Sequence, residues 1–252
     1  MENVVPRHVL CVLGRWDSFD AVSTIVTGAG APGFELDRQF SLLRPDTRMV
    51  NSFQASYDRV QPTMNDDDWG AIRSHSAVAY VLSPPARRDL AVAISARALL
   101  LTAALLQNGG VAAKADSCGI AHGRAHWLEL STRYAQSHTE HNQRATLYFS
   151  WVRRPILDDQ TGSFYSCGMH LLGKPDIEIE SSLDVHTAVK WIDLLGLYLV
   201  ADQPKQSVAD GEGFRLYDSG PRRVMRFEPC KRFDEDDFFF NPYGQIRLER
   251  SQ

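Results

Sequence analysis

Close cysteine pairs are absent from this sequence. Its four cysteines, Cys11, Cys118, Cys167 and Cys230, are dispersed through 252 residues, and none forms a CxxC step. That spacing excludes a zinc ribbon and a thioredoxin-type motif and does not suit a disulfide scaffold, so reduced thiols are expected. Long basic runs are also missing. With a net charge of −4 and no basic block, a dedicated nucleic-acid-binding role is not expected. The most apolar stretch, Leu90 to Leu106, carries Arg97 near its centre and is about one turn short of a membrane span. The opening MENVVPRHVLCVLG has an acid at position 2 and lacks the basic start and cleavage site of a signal peptide. These absences predict a cytoplasmic protein that makes no membrane contact. No Walker loop, GxSxG or HExxH is present either.

What is there belongs to a folded protein. A hydrophobic fraction of 44% and an aromatic fraction of 10% supply a substantial core, in one large domain or two small ones. His8 to Leu13 reads as a first strand. Asp17 or Ser18 caps a helix over Phe19 to Val26, which Gly28 stops. Phe34 to Leu42 alternates like a strand, and Arg48 to Val60 reads as another. Pro62 to Trp69 is a polar loop whose Asp66, Asp67 and Asp68 can cap a helical turn. His75 to Leu82 is a continuous apolar run, as a strand buried on both faces requires. The spacing then predicts a helix from Leu90 to Gln107 with Ile94, Leu101 and Leu105 buried, ended by Asn108-Gly109-Gly110. Val111 to Ser117 is expected as a strand and Gly123 to Tyr134 as a helix.

The polar stretch Gln136 to Asn142 is the expected junction between an N-terminal half, 1–135, and a C-terminal half, 143–252. Beyond it, strands are expected near Ala145–Arg153, Ser163–Leu171 and Asp176–Glu180. A helix capped by Ser181 or Ser182 follows, and then strands at Phe214–Tyr217, Arg223–Phe227 and Gln245–Leu248. Hairpins outnumber βαβ alternation. The expected fold is therefore α+β, with mixed, mainly antiparallel sheets and packed helices. Ser117-Cys118-Gly119 with His122 echoes Ser166-Cys167-Gly168 with His170, which raises the expectation of two related halves.

Three groups are candidates for chemistry. Cys118, His122 and His126 would gather on one side if residues 119–127 were helical, and with Cys167 or His170 they would complete a zinc tetrahedron. The same residues are the basis of an alternative reading as a metal-dependent or Cys/His hydrolase. Against it, a histidine beside a tryptophan is more often packing, and no recognised zinc spacing is present. No cofactor is the simpler expectation. Gly28-Ala29-Gly30-Ala31-Pro32-Gly33 matches GxGxxG, but the surrounding pattern reads as helix then strand, the reverse of a dinucleotide site. Asp234, Glu235, Asp236 and Asp237 precede Phe238-Phe239-Phe240. They read as an exposed acidic loop before a strand that buries Phe238 and Phe240, or as a protein-binding surface.

One pattern carries a family resemblance. It comprises Gly168-Met169, Leu172-Gly173-Lys174-Pro175-Asp176-Ile177-Glu178-Ile179, a helix, then Phe240-Asn241-Pro242-Tyr243-Gly244 and Arg247-Leu248. It resembles a bacterial family of uncharacterised proteins, catalogued as a C-terminal domain of unknown function, over Ser163 to the end. The resemblance implies no catalytic residues. It implies a fold-defined domain and, by association with small bacterial proteins of this kind, an immunity or accessory partner of a secreted toxin. The expected function is therefore protein–protein recognition.

Overall fold

The computed structural model describes residues 4–57, 60–204 and 208–251. The chain forms an α+β fold built on two mainly antiparallel sheets. In the first, β1 (Val9–Gly14) lies between β3 (Ala77–Leu82) and β4 (Gly110–Ala115). Strands β2 (Glu35–Leu42) and β5 (Ile120–His122) form its edges. All of its pairings are antiparallel.

Both faces of this sheet are covered, which explains the unbroken apolar runs of β1 and β3. Along β1, Leu10 and Val12 face the main core, while Cys11 and Leu13 enter a second cluster. Helix α4 (Ala91–Gln107) packs over β1 and β4 on the main-core side. Its Ile94, Leu101 and Leu105 are buried as expected, whereas Leu90 precedes the helix and is exposed. Helix α1 (Phe19–Gly28), capped by Ser18, joins α4 on that side. On the other face lie α2 (Met49–Tyr57) and α3 (Asp66–Arg73). The latter begins with a capping box between Asn65 and Asp68.

The α2 segment corrects a strand expectation. Met49, Phe53 and Ser56 are the residues it buries, a spacing of four and three that belongs to a helix face. Asp58 and Arg59, inside the same expected strand, lie outside the described residues. A second correction falls on Ala145–Arg153. Thr146, Tyr148, Phe149 and Trp151 have strand propensity, but helix α6 (Glu140–Trp151) runs through them, capped by the Thr139 hydroxyl. Its Leu147, Tyr148 and Trp151 enter the core on helical spacing, so burial overrides propensity.

The second sheet has the order β6-β7-β8-β11-β10-β9. Its strands are β6 (Arg153–Asp158), β7 (Ser163–Cys167), β8 (Asp176–Glu180), β9 (Gly213–Arg215), β10 (Arg222–Glu228) and β11 (Gln245–Arg250). Only the central β8–β11 pairing is parallel. Phe164, Ile177, Ile179, Met225, Ile246 and Leu248 face the core under α7 (Val185–Leu197). Asp184, rather than Ser181 or Ser182, caps that helix, its carboxylate accepting from the Thr187 N–H at 3.0 Å.

The two sheets share one hydrophobic cluster. Helix α5 (Arg124–Gln136) packs against α4 and α6, and α6 also packs against α4. The stretch between α5 and α6 is thus a short helix–helix connection. Trp151 sits where α4, α5 and α6 meet. Its indole N–H donates to the Ser95 carbonyl at 3.2 Å, and its ring lies 4.6 Å from His8 and 5.3 Å from Trp127.

The Gly173-Lys174-Pro175-Asp176 and Asn241-Pro242-Tyr243-Gly244 steps meet in space. The buried Asn241 amide donates to Asp176 at 2.7 Å and to the Lys174 carbonyl at 3.1 Å. Asp176 also accepts from the Ser166 hydroxyl at 3.0 Å and the Met169 N–H at 3.3 Å. Gly173 and Gly244 hold φ of 71° and 76°, conformations that glycine reaches without strain. Tyr243 lies under the Arg88 guanidinium at 4.7 Å, which ties the clamp to the start of α4. Asn241→Ala is expected to cost about 1–3 kcal/mol, because it removes a buried donor from Asp176 and from the Lys174 carbonyl. Urea unfolding measures it; a loss below about 0.5 kcal/mol would show that the clamp is not needed for stability.

Candidate functional site

The proposed zinc cluster depends on residues 119–127 being helical. The structure corrects that premise. His122 ends β5 and His126 lies in the first turn of α5. Their rings still meet edge to face at 5.0 Å, but each is otherwise engaged. His122 donates through Nε2 to the Ser150 carbonyl at 3.1 Å, and His126 Nδ1 lies 3.1 Å from Glu129. Cys118 is fully buried, with Sγ 3.8 Å from the Ala115 carbonyl. Among the described residues, no three His, Cys, Asp or Glu side chains are grouped as a bound cation requires.

Cys167 and His170 are equally enclosed. Cys167 ends β7, and His170 sits in the 3-10 turn Met169–Leu172, donating through Nε2 to the Ser117 carbonyl at 3.0 Å. Burial drives the thiols of Cys118 and Cys167 well above the ordinary range and lifts Cys11 to about 12. A nucleophilic cysteine needs a thiolate, and these environments oppose one. Cys230 is the only one of the four that is partly exposed. Gly28–Gly33 closes α1 and leads into β2, so its backbone lacks the strand-to-helix context of a pyrophosphate cradle. His138 is exposed, and His141 pairs with Asp202 at 3.0 Å on the surface.

Three buried histidines instead form a structural set. His8 donates through Nε2 to the Ser95 hydroxyl at 2.8 Å, since that hydroxyl gives its own proton to the Leu171 carbonyl at 2.6 Å. The Nδ1 atoms of His8, His122 and His170 have no hydrogen-bond partner. Neutral rings are the form these sites accept. Burial holds His8 and His122 at about 3 and His170 at about 4, with His170 further depressing His8 and His126 further depressing His122.

The acidic segment lies between β10 and β11. Asp234, Glu235, Asp236 and Asp237 are all exposed. They do not lead into a strand. Asp237 N–H bonds back to the Asp234 carbonyl at 3.0 Å, and Phe240 N–H to the Asp237 carbonyl at 3.1 Å. Consecutive turns remove the alternation that would have sent Phe238 and Phe240 inward. Phe239 packs on Phe233 at 5.4 Å, Phe240 is half-buried, and Phe238 is 61% exposed. The base of the loop is held by Asn241 in the clamp. The structure therefore presents four carboxylates and one bare aromatic ring on a loop with a fixed root.

A charged network on the outer face of the second sheet was not anticipated from the sequence. Glu178 is 2% exposed and takes Arg232 at 2.6 Å and Arg247 at 2.7 Å, with Arg232 stacked 3.9 Å over Tyr165. The signal available was the alternation of Asp176, Glu178 and Glu180 with two isoleucines. Its arginine partners come from distant segments.

Two measurements test these placements. With a thiol reagent, the native protein is expected to react at Cys230 alone within minutes, and all four thiols should react in denaturant; rapid native reaction at Cys118 or Cys167 would refute their enclosure. The second is pH dependence. Between about pH 4 and 6.5 the unfolded histidines are protonated and the folded ones are not, so the unfolded state binds more protons and stability falls as pH falls. Asp176 opposes this. Burial raises its carboxyl to about 7 against donors from Asn241 and Ser166, so the folded state keeps that proton in the same window. Three groups against one leave a net loss of about 2–3 kcal/mol per pH unit near pH 5. Chemical denaturation across that range measures it, and a flat profile would refute neutral buried rings.

In comparisons with known proteins, the chain matches no family model, no curated protein and no solved structure.

Proposed function

We propose that this protein works by recognising another protein, and that the Asp234–Phe238 loop is the contact surface for a basic partner. One observation carries the reading: Phe238 stands 61% exposed beside four exposed carboxylates. An aromatic side chain supplies contact area at low entropic cost, and the carboxylates steer a basic surface toward it. The clamp at Asn241 fixes the root of the loop, which lowers the ordering cost of binding. The resemblance over residues 163–252 to an uncharacterised bacterial family suggests an immunity or accessory role toward a toxin, exercised in the cytoplasm. The competing reading, a hydrolase using Cys118, His122, His126 and Cys167 or His170, is disfavoured by the burial of Cys118, His122, Cys167 and His170 and by the engagement of His126 with Glu129.

The test is affinity capture with the intact protein as bait, followed by kinetics on each captured protein. Replacing Asp234, Asp236 and Asp237 by Asn and Glu235 by Gln is expected to slow association roughly tenfold at low salt and to flatten its salt dependence. Phe238→Ala is expected to speed dissociation. An unchanged association rate in the neutralised variant would remove the loop from the interface, and the absence of any basic protein among specific partners would defeat the reading.

A further inference from the structure

A second surface has the opposite charge. Helix α7 and the connection from β9 into β10 enclose an open groove of about 950 Å³. Its apolar lining includes Leu183, Trp191, Leu194, Leu197, Leu216 and Tyr217. Most residues of this kind in the chain are covered, yet Leu194 is 39% exposed and Tyr217 61% exposed. Thr187, Lys190, Leu194 and Leu197 recur at steps of three and four along α7. They therefore form one stripe about 15 Å long, the length of two to three turns of a docked helix.

The groove carries four cations, Lys190, Arg222, Arg223 and Arg250. Arg223 and Arg250 share a single carboxylate, Glu180, at 2.7 and 2.8 Å. That carboxyl is held at about 2: burial works to raise it, and hydrogen bonds from Arg250 and Arg223 outweigh burial. Lys190 and Arg222 are exposed, and among the described residues no acid pairs with either. Among the described residues, the one carboxylate in the lining, Asp193, already accepts from Arg154 and from the Tyr148 hydroxyl. The groove is thus locally basic in a chain whose net charge is −4. Attraction of an acidic ligand to this protein has to be local, because the molecule as a whole repels one.

We infer that this groove is a docking site for an acidic amphipathic helix of another protein. The apolar stripe of that helix lies against Leu194, Leu197 and Tyr217, and its carboxylates meet Lys190 and Arg222. This is helix-in-groove recognition, in which anchors at i, i+3, i+4 and i+7 supply affinity and rim charges supply specificity. The surface is separate in sequence from the Asp234–Phe238 loop and takes a ligand of the opposite sign, so the two contacts are independent.

The probe is a fluorescein-labelled peptide of about 14 residues, with leucine at helix-stripe positions and glutamate elsewhere. Polarisation with the intact protein is expected to show saturable binding that strengthens as salt falls. The Lys190→Glu/Arg222→Glu double variant and Leu194→Glu are each expected to weaken it roughly tenfold. Lys190 and Arg222 are exposed, so the double variant reads the groove even if Leu194→Glu fails to fold. Neutralising the acidic loop should not weaken this binding, and at low salt should strengthen it by lowering the overall repulsion, which separates failure here from failure of the proposed loop contact. Three outcomes would overturn the assignment. One is equal affinity in parent and double variant. Another is no saturable binding of the peptide, with vesicles containing phosphatidylglycerol retained by the parent but not by the double variant. The third is a dimer of the parent that Leu194→Glu dissolves, which would make the groove a contact between copies.

Discussion

The Ser95 hydroxyl is the point on which the two sheets depend. It receives the His8 ring N–H from just before β1 and gives its own proton to the Leu171 carbonyl beside the second sheet. The Ser95 carbonyl takes the Trp151 indole N–H. Each group is buried, so each bond avoids the full desolvation cost of an unpaired polar atom. Because α4, α6 and the Met169–Leu172 turn meet around these atoms, the hydrophobic cluster is continuous through both halves. The same enclosure keeps His8, His122 and His170 neutral and raises the thiols of Cys118 and Cys167. Residues that suggest chemistry by type are here used for packing.

The clamp between Asp176 and Asn241 extends that logic to the surface. Asp176 gathers donors from β7, the 3-10 turn and the loop before β11, while the parallel β8–β11 pairing places the two segments side by side. The Gly173–Asp176 and Asn241–Gly244 steps are therefore structural. They fix where the acidic loop leaves the sheet. On the outer face of that sheet, Glu178, Arg232 and Arg247 keep an otherwise open surface polar and internally paired.

Surface charge is divided rather than mixed at two places. The loop from Asp234 to Phe238 presents carboxylates with an exposed ring, and the α7 groove presents cations with an apolar floor. An exposed apolar group beside charge of one sign selects partners by attraction and by exclusion together. The proposed function rests on the first of these surfaces alone, and the groove stands as a separate proposal.

Much of the fold was legible because burial leaves a period in the sequence. The continuous run His75–Leu82 and the pattern of Leu90–Gln107 led to β3 and α4, and alternation led to β2, β8 and β10. The reading failed where local propensity and tertiary burial disagreed. Thr146, Tyr148, Phe149 and Trp151 favour strands locally, but α6 supplies Tyr148 and Trp151 to the core from one helical face. Met49 and Phe53 do the same from α2. The site was less legible, because no local pattern states what lies across a contact. The order and periodicity of the strand and helix patterns determined an α+β protein, and the run of four acids determined an exposed loop. Only tertiary structure decided that His122 and Cys118 are sealed, that Phe238 rather than Phe239 faces water, and that Lys190 and Arg222 border one groove. Those outcomes depend on segments far apart in the chain, whose proximity is set by the shared core and not by any neighbouring residue.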